Sequence, residues 1–233
     1  MAISDLKLPA GVTAHTFNTP AVLAEALAKT VAGQLNDAIT AQGVATLVVS
    51  GGRSPVAFFQ RLIEQPVDWS KVVVSLADER WVPVEHADSN AGLLKQHLLK
   101  GPAAKARFVG LYNVAPTLDA AAEQADRQLA ELPPIDVLIL GMGDDGHTAS
   151  LFPASPNLKQ ALDLDNPRRC WPMLAPTVPH QRLSMSRHLL STAKHTVLSV
   201  QGQAKLNTLT DALAGDDVAA LPIRAFLQPT LEI

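Results

Sequence analysis

Cysteine is nearly missing from this chain: Cys170 is the only one in 233 residues. One cysteine excludes an intramolecular disulfide and any CxxC metal or redox motif. Cys170 therefore reads as a small semi-buried apolar residue, with a catalytic nucleophile as the lesser alternative. Charge of one sign is lacking too, since 19 Lys and Arg face 22 Asp and Glu for a formal net charge of -3. Nucleic-acid and membrane-surface binders carry basic stripes, so neither partner is expected. An anionic ligand would need a local basic pocket. No uninterrupted apolar run approaches the roughly 18 residues of a membrane span. The stretch Met1 to Pro9 lacks a basic n-region followed by an apolar h-region, so no signal peptide is expected. A reducing, cytosolic setting is the default. Repeats, low-complexity tracts and linkers are absent, which leaves residues 1–233 as one expected domain, long enough to bury a core without staples.

An alternating pattern is what the sequence does contain. Thr19 and Pro20 read as N-cap and first residue of a helix that Gly43 stops. Between them Leu23, Leu27, Val31, Leu35 and Ile39 recur every four residues on one face. Val44 to Val49 is a short β-branched run and reads as a buried strand. Ser54-Pro55 opens a helix to Glu64. Val72 to Leu76 is a strand ending at Asp78, and Ser89 to Leu99 a helix. Arg107 to Leu111 is a strand and Thr117 to Leu132 an Ala-rich helix. Ile135 to Leu140 is the clearest buried strand. His195 to Val200 and Gln203 to Leu213 are a last strand and helix. Buried strands alternating with helices predict an α/β fold with a mostly parallel sheet and helices on both faces.

In such sheets ligands bind beyond the carboxyl ends of the strands. Three polar clusters follow strands and should share that edge. Ser50, Gly51, Gly52 and Arg53 open a helix, where glycine amides, the helix N-terminus and a cation suit a phosphate. The segment is not a Walker loop, and its bland alternative is a tight turn. Asp78, Glu79 and Arg80 are either a structural ion pair or a charged pocket wall, with Arg80 facing substrate and Asp78 orienting a neighbour. Gly141 to His147 formally matches GxGxxG after a strand. Asp144 and Asp145 sit where a pyrophosphate would approach, and no strand-terminal acid follows about 20 residues on, which argues against a dinucleotide. The better reading is a loop whose glycines, Gly141 and Gly143 among them, expose amides and present His147 as a base near neutral pH. The other histidines, His86 and His180 included, form no HExxH or other metal-ligand spacing, and no GxSxG elbow exists. Arg182 precedes an alternating segment, Leu183 to Ser186, and is either a surface charge or a ligand. Lys205 lies in the first turn of a helix at the carboxyl edge. The dipole disfavours a cation there unless an anion offsets it.

Four segments carry a resemblance: Ser50-Gly-Gly-Arg-Ser-Pro55, Ala77-Asp-Glu-Arg-Trp-Val-Pro83, Ser89-Asn90, and Leu140-Gly-Met-Gly-Asp-Asp-Gly-His-Thr-Ala-Ser-Leu-Phe-Pro153. In order and spacing they resemble the 6-phosphogluconolactonase family, which is related to the glucosamine-6-phosphate deaminases and shares their Rossmann-like sheet. The continuation Thr148 to Pro153 and the Arg80-Trp81 pair are similar to the lactonase branch. The family's first loop commonly reads Ser-Gly-Gly-Ser-Thr-Pro, and here Arg53 and Ser54 stand before the proline. The resemblance implies hydrolysis of 6-phospho-D-glucono-1,5-lactone to 6-phosphogluconate in the oxidative pentose phosphate pathway, without metal or organic cofactor. On that basis His147 is the expected general base. Arg80 or amides of the Gly141 to Gly146 loop would meet the oxyanion, and Asp78 and Asp145 would orient groups. Arg182, Lys205 and the Ser50 to Arg53 loop would hold the phosphate. A deaminase or isomerase of amino sugar phosphates is the nearer rival, a non-catalytic sugar-phosphate sensor the other. A monomer or weak homo-oligomer is expected.

Overall fold

The computed structural model describes residues 3–52 and 54–233. Its first long element is α1, Pro20–Gln42. The Val22 N–H donates to Thr19 Oγ1 at 3.2 Å, a cap that contributes about 1 kcal/mol. Gly43, at φ 80, ends the helix with its N–H on the Ile39 carbonyl. Both ends match the expected signals, but the buried face does not. Ala24, Ala28, Val31, Ala32, Leu35 and Ala38 are buried, whereas Leu23, Leu27 and Ile39 are only partly so. The small alanines let α1 lie close on the sheet. Leu23 and Leu27 turn instead toward two cavities.

The chain continues through β1 (Ala45–Val49), α2 (Val56–Ile63), β2 (Val72–Leu76), β3 (Asp78–Arg80), α3 (Asn90–His97), β4 (Arg107–Val109) and α4 (Leu118–Leu129). Then come β5 (Val137–Leu140), α5 (Leu158–Leu162), β6 (Cys170–Leu174), β7 (Gln181–Met185), α6 (Arg187–Leu190), β8 (His195–Leu198), α7 (Gln203–Leu213) and β9 (Leu231–Glu232). Among the described residues six strands form one sheet in the order β4-β2-β1-β5-β8-β9, and every neighbouring pair is parallel. Every residue of β1, β2 and β5 is buried. Successive side chains point to opposite faces, so both faces of the sheet are covered. Among the described residues the buried apolar side chains form one contiguous cluster, apart from Val82 and Phe152. The α/β fold read from the alternation is the fold observed.

One feature departs from that reading. The chain does not end a strand at Asp78. Ala77 is a joint: its N–H donates to Val49 of the large sheet, and its carbonyl accepts from Met185. Beyond it β3 enters a second, antiparallel sheet in the order β3-β7-β6. Charged residues hide β3 from a propensity reading. Pro172 hides β6, and it is tolerated because β6 lies at the edge of this sheet.

Candidate active site

The carboxyl ends of β1, β5 and β8 and the small sheet enclose a cavity of about 280 Å³. Ser50, Gly51, Gly52, Asp78, Arg80, Gly141, Gly143, His147, Arg182 and Lys205 all line it. Arg53 lies outside the described residues. Asp145 does not line the cavity but stands directly behind it, bonded to His147.

His147 is held by a tight loop. Its carbonyl accepts the Gly143 N–H at 2.8 Å, and the Gly146 N–H returns to the Gly143 carbonyl at 3.1 Å. Gly143 is required by space, because a Cβ there would lie 2.1 Å from His147 Nδ1. The Gly143 amide is thus committed to the loop itself. The Gly141 N–H makes only a long contact, 3.4 Å, to Ser50 Oγ. His147 Nδ1 lies 2.5 Å from Asp145 Oδ1, which also accepts the His147 N–H, and the ring packs 4.4 Å from that of Phe152. Burial alone would raise the Asp145 pKa. The hydrogen bond and charge of His147 outweigh it and hold the carboxyl below the usual range. An ionised Asp145 assigns the proton to Nδ1 and leaves the Nε2 lone pair free.

The opposite wall comes from the small sheet. Arg80 on β3 stands directly across from Arg182 on β7. Like charges facing across strands repel, and each guanidinium has a buried Nε that meets no hydrogen-bond partner. Arg182 is 7% exposed. Burial lowers its pKa, Asp78 opposes that, and Arg80 adds to it. The carboxylate partner that the sequence suggested for Arg80 within its own cluster is not the one it uses. Arg80 Nη1 donates to the Asp88 carbonyl at 2.7 Å and to Asn90 Oδ1 at 3.1 Å.

Glu79 serves the backbone instead. It accepts the N–H groups of Arg80, Asn90 and Ala91 and the Ser89 hydroxyl, which caps the start of α3. Asp78 accepts from Ser150 Oγ at 2.6 Å, and its carbonyl takes Asn90 Nδ2. Asn90 lies so close to the first loop that a Cβ on Gly51 would sit 1.9 Å from its Oδ1. Sequence reasoning did not place Asn90, Ser150 or Asp144 in the site. Lys205 enters from the first turn of α7, with Nζ 2.9 Å from Asp144 Oδ1. The Asp144 partner had no signal in the sequence beyond its sign.

The model of a family described as glucosamine-6-phosphate isomerases/6-phosphogluconolactonase matches residues 18–232. The chain belongs to this family. Within it, a Pseudomonas putida protein named 6-phosphogluconolactonase is 65% identical over 233 residues, covering 100% of this chain and 96% of that one. A Pseudomonas aeruginosa protein of the same name is 61% identical, over 100% of this chain and 98% of its own length. The crystal structure of a 6-phosphogluconolactonase from Shewanella baltica superposes with a TM-score of 0.92 at 40% identity, over 97% of both chains. A monomeric glucosamine-6-phosphate deaminase superposes with a TM-score of 0.77 at 18% identity, over 94% of this chain and 95% of that one. That last likeness shows the fold alone. Among the described residues no helix is long and apolar enough to cross a membrane.

Proposed function

We propose that this chain is a 6-phosphogluconolactonase that opens 6-phospho-D-glucono-1,5-lactone to 6-phosphogluconate, the second step of the oxidative pentose phosphate pathway. The observation that carries the reading is His147, bonded through Nδ1 to an ionised Asp145 and sharing one cavity with the guanidinium groups of Arg80 and Arg182. His147 Nε2 takes a proton from water as the oxygen attacks the lactone carbonyl carbon. The oxyanion that forms needs donors already in place, and Arg80 supplies them. When the intermediate collapses, the ring C–O bond breaks and the imidazolium returns its proton to the leaving alkoxide. Asp145 fixes the tautomer and balances the transient imidazolium charge. Asp78 fixes Ser150 and offsets the charge of Arg182. Arg182, Lys205 and the Ser50 to Arg53 loop hold the phosphate.

The protein works as one domain over residues 1–233, in the cytosol, as a monomer or weak homo-oligomer. No nucleic acid is needed. The test is hydrolysis of freshly made lactone with the spontaneous rate subtracted. Wild type accelerates opening, and His147→Ala loses roughly 10²-fold or more, the scale of a general base. Background-level hydrolysis by wild type would overturn the lactonase reading. Equal rates for both proteins would overturn the assignment of His147. Turnover of an amino sugar phosphate would favour the deaminase rival.

A further inference from the structure

Outside the His147 loop, the fold brings together a second cluster that chain spacing could not reveal. His86 and Asp88 belong to the loop before α3, and His180 to the loop before β7. Asp88 and His180 are 92 positions apart in sequence. Asp88 Oδ2 lies 2.8 Å from His180 Nε2 and 3.8 Å from His86 Nδ1. The two imidazoles meet edge to face with centroids 5.2 Å apart. One ligand atom from each residue lies within 4.8 Å of the others. Among the described residues this is the group of three side chains so arranged.

We propose that His86, Asp88 and His180 form a binding site for a late first-row divalent cation, with zinc as its first occupant. The donor set argues for the class. Two imidazoles and one carboxylate suit zinc, copper or nickel, whereas calcium and magnesium take oxygen donors. The geometry argues for capture with little movement. Zinc bonds of about 2.0–2.1 Å put tetrahedral ligand atoms about 3.3 Å apart, and the two distances to Asp88 fall on either side of that value. His180 adopts φ 74, a left-handed backbone that non-glycine residues rarely take. That conformation accompanies the placement of its ring against Asp88. Three protein ligands leave a fourth position for water.

Three groups set the affinity. The Asp88 N–H donates to His86 Nδ1 at 3.1 Å, and the metal must displace it from that lone pair. His180 Nε2 must turn its lone pair from Asp88 to the metal, with the ring proton on Nδ1, and protons compete with the cation for both imidazoles, so binding strengthens as pH rises. The Arg80 guanidinium, held on the Asp88 carbonyl, opposes a cation nearby. The site is therefore weaker than a closed structural zinc centre.

Its position gives it a consequence. Asp88 supports Arg80 through its carbonyl, and the Pro179 carbonyl receives Arg182 Nη2 in a long contact of 3.4 Å. A cation joining Asp88 to His180 ties together the two loops that back these arginines. This effect on substrate rests on the lactonase reading, but the metal binding does not.

Calorimetric titration of the full chain with zinc alone, at several pH values, tests the proposal. Wild type takes one equivalent, more tightly at higher pH. His86→Ala, Asp88→Asn and His180→Ala each bind at least 10-fold more weakly, and His147→Ala binds as wild type does. Circular dichroism checks that each variant is folded, and two folded variants suffice. Loss of binding in His147→Ala with retention in the others would place the metal on the His147–Asp145 pair and overturn the proposal. Fractional binding common to all variants, or none in wild type, would overturn it as well.

Discussion

Asp144 pairs with Lys205 in this structure, so under the proposed function a substrate phosphate competes with a carboxylate for the ammonium. Asp144 is an exposed side chain, and its carbonyl is anchored by Thr208 Oγ1 at 3.1 Å. Removing the competing charge leaves the lysine in place. Asp144→Asn should therefore lower KM for the phosphorylated lactone several-fold at low ionic strength, leave kcat near wild type, and lose the advantage as salt screens the charges. Steady-state kinetics at two salt concentrations checks this, and an unchanged or higher KM refutes it. Glu79 acts by the opposite logic, because its partners are three backbone N–H groups and one hydroxyl. Burial raises its pKa more than those N–H groups lower it. A carboxyl whose folded pKa is raised binds protons more tightly in the folded state. Its contribution to stability is therefore greatest at low pH and declines as pH rises from the ordinary value of 4.5 toward the folded value. Glu79→Gln should flatten that slope in denaturant titrations. At neutral pH it should also cost about 1–3 kcal/mol, since an amide turns N–H toward groups that themselves donate. An identical pH slope in both proteins would contradict this account of Glu79.

Among the elements, legibility followed hydrophobicity. The strands β1, β2 and β5 are buried on both faces and read as apolar runs. The helix α1 has a capping threonine, a first-turn proline and a terminal glycine. The strand β3 was hidden because Asp78, Glu79 and Arg80 defy strand propensity. They are tolerated because hydrogen bonds from Ser150, Ser89 and the start of α3 satisfy the acids. The edge of the cavity was legible from strand ends. The pairing of Arg80 with Arg182 was not, since no sequence signal places two residues so far apart opposite each other in an antiparallel ladder. That pairing yields a prediction for the small sheet. Under the proposed function, these two facing cations, neither with a hydrogen-bond partner for its Nε, serve an anion rather than stability. Arg182→Met should raise KM at least 10-fold and abolish the thermal shift given by inorganic phosphate. The ligand-free Tm should stay within about 3 °C of wild type, since roughly 1 kcal/mol corresponds to 2–4 °C in a chain of this size. A larger fall in calorimetry would make Arg182 a structural residue.

At the scale of the whole molecule, the cavity is a seam. His147, Ser50 and Lys205 come from the carboxyl edge of the parallel sheet. Asp78, Arg80 and Arg182 come from the antiparallel one, and Ala77 is hydrogen-bonded to both sheets. The small sheet also holds Cys170, which is fully buried on β6 opposite Met185. Burial, and then Asp126, push its thiol up to about 12, although Arg168 pulls the other way. A folded molecule at neutral pH therefore offers no thiolate to a thiol reagent. Only a molecule whose β6 has come away from β7 can be labelled. With one cysteine in the chain, each labelling event has a single source, and the rate of colour release becomes a clock for how often the outer strand of the small sheet lifts away.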